Sequence, residues 1–381
     1  MTNIRMISAA SGVVEPSNLW SSRLDPKFAD LCPRLIETAD GVRWSAAGKL
    51  APPPGYSHAL TDPHGHANPL TIARADWLAS PAGRRWIQDE DQVAGEVLYS
   101  TGQVWDLINA TENREFIVAC YRAYNDWLAD FCEADSARFI GVAKVPTTGA
   151  DDATAELRRA HSLGLKGVVL DAWPGGADCP PAMEECTDFW AAAAELGMPI
   201  SIYRPLDGTR EPEPGIVAGV TPEFYNDLTT IIYANIPDNN PGIRFISLAP
   251  NAGWAPPAFE QLADTYMRTA ALRKISLANE DMSPADYLRQ YFWYVSQDDR
   301  TVLLNAGYMG EAHLIWGSFA FMETASVWPG SRQLFERVTS GMDRGFAARI
   351  AGENTERLYH LGNARPFSAE EIAGYESYAM L

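Results

Sequence analysis

The sequence predicts an α/β fold of one architecture: a distorted (β/α)8 TIM barrel carrying a long insertion between its first and second strands. Three observations predict it. Eight short runs rich in Val, Ile and aromatic residues recur along the 381 residues, and amphipathic segments follow most of them. No G-x-G-x-x-G follows the first run, which argues against a doubly wound dinucleotide-binding sheet.

Taken in order, the predicted strands cover 4–10 (IRMISAA), 95–100, 139–145, 166–171, 198–203, 243–249, 290–296 and 313–319. The helical patterns cover 112–132, 151–163, 182–196, 222–236, 256–273 and 330–341. The clearest of them lies in TGADDATAELRRAHSLG, polar at its start, apolar at helical spacing and closed by Gly164. Residues 13–94 are rich in Pro, Gly and Trp; a connection of that length at the end of a first barrel strand predicts a lid over the mouth. The domain reading is thus a single barrel over 1–361, with 13–94 as insertion and 362–381 as a C-terminal extension.

A net charge of −19 repels phosphate backbones and anionic lipid, so neither nucleic acid nor a membrane is an expected partner. No run of 18 apolar residues exists to span a bilayer, and MTNIRMISAA lacks the apolar core of a secretory signal. Five cysteines without a C-x-x-C pair fit a reduced, cytoplasmic setting.

Barrel active sites form where strands end, so the polar residues at those ends are the candidates. They are Glu15, Asp171, Tyr203, Arg204, Asn251, Ser296 and Glu323. Asp171 closes the apolar GVVL, and a half-buried carboxylate there suits acid–base work. Glu15 reads equally as a carboxylate capping the following turn. Tyr203 is a proton or hydrogen-bond donor, or a ring filling space. Arg204 is a clamp for a substrate carboxylate, or the partner of Asp207. Trp173 and Trp254 follow the fourth and sixth strands and suit an aromatic pocket wall. His58, His64 and His66 cluster in the insertion beside Asp62; His58 is the candidate base, and the group as a whole a displaced metal site. His161, His313 and His360 read as structural, and Cys120 and Cys132 as packing within one helix.

The segments GVVEPSNLW, GEVLYS, CYRAYNDWLADFC, RFIGVAKVP, ELRRAHSLGLKGVVL, FWAAAAELGMPISI, GIRFISLAPNAGW and VWPGSR follow one another in a familiar order and spacing. Over 4–361 the chain resembles the amidohydrolase superfamily, in the amidohydrolase-2 branch that includes aminocarboxymuconate-semialdehyde decarboxylase. The resemblance implies the barrel, and a divalent metal held by D-x-H or H-x-H after strand 1, by His after strand 5, by His or Glu after strand 6, and by Asp after strand 8. Here those positions fall on Ala10 and Gly12, on Tyr203, on Ala249 and on Phe319, with Met322 where a His often stands. Ala, Gly and Phe supply no donor to a metal. The expectation is therefore an enzyme without metal or other cofactor. It would act on a small carboxylated or aromatic molecule by a lyase reaction such as decarboxylation, elimination, hydration or cyclisation. The long insertion and the family's habit further imply a homodimer. The competing expectations are a metal enzyme with ligands relocated to the insertion, and a binding barrel that has lost catalysis.

Overall fold

The computed structural model describes residues 4–39, 41–51, 75–100, 104–176, 180–203, 222–248, 251–322 and 328–375. Eight parallel strands form the barrel: β1 (Ile7–Val13), β5 (Gly95–Ser100), β6 (Phe139–Lys144), β7 (Gly167–Leu170), β8 (Ile200–Ile202), β9 (Phe245–Ser247), β10 (Phe292–Ser296) and β11 (Leu314–Trp316). Each pairs with the next in chain order. The ring closes just beyond β11, where Phe319 N–H donates to the Ala10 carbonyl at 2.8 Å and Gly12 N–H to the Ala320 carbonyl at 2.7 Å. The helices Arg114–Glu133, Ala150–Ser162, Thr187–Leu196, Pro222–Tyr233, Ala255–Arg273 and Ser331–Val338 stand near the positions expected from periodicity.

Strand alternation sorts the core into an inner and an outer layer. Val97 and Tyr99, Ile140 and Val142, Val169, Ile246, Trp293 and Val295 fill the lumen. Their strand neighbours Leu98, Phe139, Val168, Ile200, Phe245 and Tyr294 face outward onto the helices. Because both faces are buried, these strands read as unbroken apolar runs.

One expectation needs correction. The first strand does not end at Ala10: it begins at Ile7 and continues through the small residues to Val13, with a register shift between Ser8 and Ser11. The insertion holds regular structure of its own, namely an antiparallel sheet of β2 (Arg34–Thr38), β3 (Gly41–Ala46) and β4 (Lys49–Leu50), and a helix over Pro81–Glu90. Trp44 of that sheet meets Trp20 edge-on at 5.1 Å, and Trp20 meets Trp105 at 5.8 Å, so the sheet is anchored beside the end of β5.

Beneath the barrel, Phe367 and Ile372 of the C-terminal extension pack onto the lumen cluster. His313 is wholly buried there, between the carbonyls of Phe292 and Ile372 at 3.0 Å each, and burial holds its pKa down to about 4. Among the described residues no helix is long and apolar enough to cross a membrane.

Candidate active site

Three serines tie β1 to the chain beyond β11 where the ring closes. Ser11 Oγ donates to Ser8 Oγ at 2.9 Å, Ser8 Oγ donates to the Ala10 carbonyl at 2.8 Å, and Ser318 Oγ lies 3.0–3.1 Å from both hydroxyls. Ser318 N–H also donates to Ser8 Oγ and Ala320 N–H to Ser318 Oγ, so all three buried hydroxyls are satisfied. Around this seam the side chains are apolar. Ala10, Val295, Leu248, Phe319 and Met322 belong to one buried cluster, with Tyr203 packed against it. They leave almost no space: a Cβ added at Gly317 would lie 2.6 Å from Val295 Cγ1, 3.0 Å from Ala10 Cβ and 3.2 Å from the Phe319 ring.

A divalent ion requires several oxygen, nitrogen or thiolate donors converging on one point. At this seam the described positions supply the Tyr203 phenol and the Met322 thioether, amid apolar packing. The Gly12 carbonyl already accepts from Arg84 Nη1 at 2.6 Å. Among the described residues no group of three or more His, Cys, Asp or Glu gathers that could hold an ion. The described residues at the seam do not fit a metal.

Charge stands instead across the ends of β1, β5, β6 and β7. Lys144 continues the inward series of Ile140 and Val142, and Asp171 that of Val169. The two meet: Lys144 Nζ lies 2.5 Å from Asp171 Oδ2, with the lysine side chain 5% exposed and the aspartate 26%. Lys144 Nζ also sits over the Trp105 ring, 5.0 Å from its centre. On its other edge, Trp105 Nε1 donates to Ser100 Oγ at 2.6 Å, and Ser100 Oγ donates to Glu15 Oε1 at 2.6 Å. Two of the expected carboxylates thus border one aromatic wall. The phenols behind that wall register both: burial pushes Tyr121 and Tyr124 well above the ordinary tyrosine range, and the charges of Asp171 and Glu15 respectively push further.

The backbone of Lys144 is clamped from behind. Buried Asn125 donates through Nδ2 to the Lys144 carbonyl at 2.8 Å and accepts the Lys144 N–H at Oδ1 at 3.0 Å. Its second amide hydrogen goes to Glu156 Oε1 at 2.6 Å. A side chain that spends both ends of its amide on the backbone N–H and C=O of one residue fixes the direction of the residue it holds.

The other candidates are dispersed. Tyr203 follows β8, partly buried against the lumen cluster. Asn251 adopts a left-handed backbone (φ 70°), and its Oδ1 accepts from the Gln297 and Asp298 N–H groups, joining the exits of β9 and β10. Ser296 continues the outward series of Phe292 and Tyr294 and is buried. Trp173 packs on Trp190, and Trp254 lies between Tyr225 and Tyr294. His58, His64, His66, Asp62, Arg204, Ala249 and Glu323 lie outside the described residues. Burial raises the thiols of Cys120 and Cys132, the latter to about 12, so neither is a ready nucleophile at neutral pH.

The barrel, its seam and the order of its strands can now be compared with known proteins. The amidohydrolase family model Amidohydro_2 matches residues 61–361. The chain belongs to this amidohydrolase family. Among solved structures, an amidohydrolase from Mycobacterium avium subsp. paratuberculosis K-10 superposes with a TM-score of 0.71 at 16% identity, covering 95% of this chain and 100% of that one. The 5-carboxyvanillate decarboxylase of Sphingomonas paucimobilis gives 0.66 at 18% identity, over 94% of this chain and 100% of the other. That of Novosphingobium aromaticivorans DSM 12444, solved with manganese and 4-hydroxy-3-methoxy-5-nitrobenzoic acid, gives 0.66 at 14% identity over 94% and 97%. At these identities the superpositions establish the amidohydrolase barrel and no more. No curated protein matches the chain.

Sequence reasoning missed the most prominent polar group of this amidohydrolase's mouth. Lys144 stands in RFIGVAKVP, and a lysine at the end of an apolar run reads as the point where a strand meets water. Strand parity was the available signal, since it puts residue 144 on the same face as residues 140 and 142.

Proposed function

We propose that this amidohydrolase-family barrel is a metal-independent lyase, acting on a small aromatic or carboxylated acid by side-chain acid–base chemistry, with decarboxylation its leading reaction. One observation carries the reading: the described positions of the family's metal ligands hold Ala10, Gly12, Tyr203 and Phe319, while an acid, Asp171, stands at the end of β7 beside a buried cation. Membership of the family and the two decarboxylases among its structural likenesses support the choice of reaction.

Decarboxylation asks little of a metal. The bond to the carboxyl carbon breaks, carbon dioxide leaves, the electron pair stays on the substrate and a proton replaces the lost group. The needs are an oxygen-bound charge stabilised as it grows, a proton at the right carbon and a dry site. In this assignment Asp171 handles the proton and the Tyr203 phenol donates a hydrogen bond to the oxygen that gains charge. Glu15, held by Ser100, fixes the local field, and His58 is a further candidate base. Arg204, Asn251, Trp173, Trp254, Ser296 and Glu323 complete the proposed substrate contacts, with the insertion as lid. Hydrolysis of a stable amide would need water activated and a carbonyl polarised, which is metal work.

The test is metal content, by plasma mass spectrometry on protein purified without a His-tag or chelating resin, paired with assays on substituted benzoates. Below about 0.1 equivalent of zinc, manganese or iron is expected, with turnover that survives chelator and falls in Asp171→Asn and Tyr203→Phe. Near one equivalent that resists dialysis sinks the reading and sends the search for ligands to Asp62, His58, His64 and His66.

A further inference from the structure

We infer that Lys144 is the cation that receives the negative oxygen of the ligand, taking the place a divalent metal would hold in the charge balance of the mouth. The inference deepens the lyase reading above and rests on it for the class of ligand. Lys144 ends β6 on the strand face that parity shares with Ile140 and Val142, and its side chain is 5% exposed. An ammonium has three N–H donors. Among the described residues Asp171 Oδ2 accepts one, the Trp105 face lies against the cation, and no second acceptor meets it. With its charge met by Asp171, the ammonium still has buried N–H donors unmade, a costly arrangement unless a further acceptor completes it.

Its surroundings fix the role further. The Asp171 carboxylate on one side and the electron-rich face of Trp105 on the other hold the lysine head in place, a setting for a fixed charge and not for a carbonyl-condensing nucleophile. The Asn125 clamp on its peptide group keeps that charge aimed. A cation placed on a departing carboxylate would oppose its loss, because that group gives up its charge as carbon dioxide forms. The productive contact is with an oxygen that keeps or gains charge, a phenolate or enolate oxygen conjugated to the reacting carbon. The ligand class that follows is an aromatic or enolic acid bearing such an oxygen.

The probe is 4-hydroxy-3-methoxy-5-nitrobenzoic acid, whose nitrophenol changes colour on ionisation. Its phenol is titrated by absorbance, free and then bound to wild type, Lys144→Met, Lys144→Arg and Asp171→Asn, each checked for native near-UV circular dichroism. Bound to wild type, the phenol should ionise at least one pH unit lower than in water, a tenfold shift towards phenolate. Lys144→Met should abolish that shift and weaken phenolate binding roughly tenfold to a hundredfold, whereas Lys144→Arg keeps most of it. Asp171→Asn, which removes the competing carboxylate and leaves the lysine, should enlarge it. If Lys144→Met fails to fold, the Asp171→Asn enlargement still decides. No binding by wild type, an unshifted phenol, or the same shift in Lys144→Met overturns the inference. The two readings fail separately: a Lys144-dependent shift without decarboxylation of any benzoate removes the lyase assignment alone, while full turnover by Lys144→Met removes the lysine assignment alone.

Discussion

Asp91→Asn should stabilise this protein above pH 6 and leave it nearly unchanged near pH 4. Asp91 follows the helix Pro81–Glu90 and is 3% exposed. Its Oδ1 accepts the Ser331 N–H at 2.8 Å, at the start of the helix Ser331–Val338. Close by, Arg84 gives its Nε to Glu96 Oε2 at 2.6 Å. Two carboxylates therefore share the field of one guanidinium, and Glu96 has the shorter hold. Burial first, then the charge of Glu96, raises Asp91 from 3.8 to about 6, against the pull of Ser331 and Arg84.

The sign follows from linkage. Below about pH 4 the group is protonated both folded and unfolded and contributes nothing. Between about 4 and 6 only the folded state holds the proton, so stability falls as pH rises; above 6 the full cost of the buried charge remains. Some two pKa units correspond to about 3 kcal/mol. The favourable charge–helix contact is already within that net value. Asn keeps an oxygen for the Ser331 N–H and removes the charge, so most of the cost should be recovered. The assay is urea unfolding of wild type and Asp91→Asn at pH 4.2 and pH 8 (about two units either side of the shifted value). The expected difference is about 1–3 kcal/mol in favour of the variant at pH 8 and close to zero at the acid end. Equal destabilisation at both pH values would show the carboxylate to be a needed partner and refute the reasoning.

Three further outcomes are expected. Asn125→Ala unpairs both polar groups of the Lys144 peptide and should cost about 2–4 kcal/mol in denaturant unfolding; a loss below about 1 kcal/mol would mean that the clamp is slack. Gly317→Ala drives a methyl to 2.6 Å from Val295 Cγ1, and should lower stability by about 1–3 kcal/mol through overpacking; a neutral result would show space at the seam. Ser318→Ala leaves the Ala320 N–H without its acceptor and removes the hydroxyl that meets both Ser8 and Ser11. About 1–3 kcal/mol should be lost, and loosening should appear first as faster hydrogen exchange at Gly12 and Phe319; uniform exchange would argue against a local seam.

Much of the barrel was legible because its strands are buried on both faces and need no alternation to be seen. KGVVLD announces β7 by composition alone. The end of β1 was not, because Ala9, Ala10, Ser11 and Gly12 carry neither bulk nor strand preference, and tertiary pairing with β5 extends the strand through them. The small sheet over 34–50 was hidden by its setting in a Pro- and Gly-rich stretch. At the mouth, residue types at the strand ends could be read one by one, the acid at 171 among them. The hydroxyl network could not, since Ser318 stands 310 positions from Ser8 and 307 from Ser11, with no local signature of their meeting. Lys144 was lost for the opposite reason: its residue type argues for solvent, and only strand parity argues for the lumen.

The seam also limits how this molecule can change. Phe319 and Phe321 hold left-handed backbone, with φ of 50° and 61°, a conformation in which a bulky residue is strained and Asn or Asp is at ease. The loop thus favours a small polar residue at 319, yet the lumen favours the ring, which shares the space about Gly317 with Ala10. A longer side chain cannot enter at 10 while the ring stays, and the ring cannot shrink without opening a hole. Neighbours that compete for one volume do not act additively. Any single exchange for a longer side chain at 10 or a smaller one at 319 is uphill, and only joint replacement at 10 and 319 avoids both penalties. The pair works as a ratchet: the backbone would tolerate a polar 319, but the packing forbids reaching it one residue at a time.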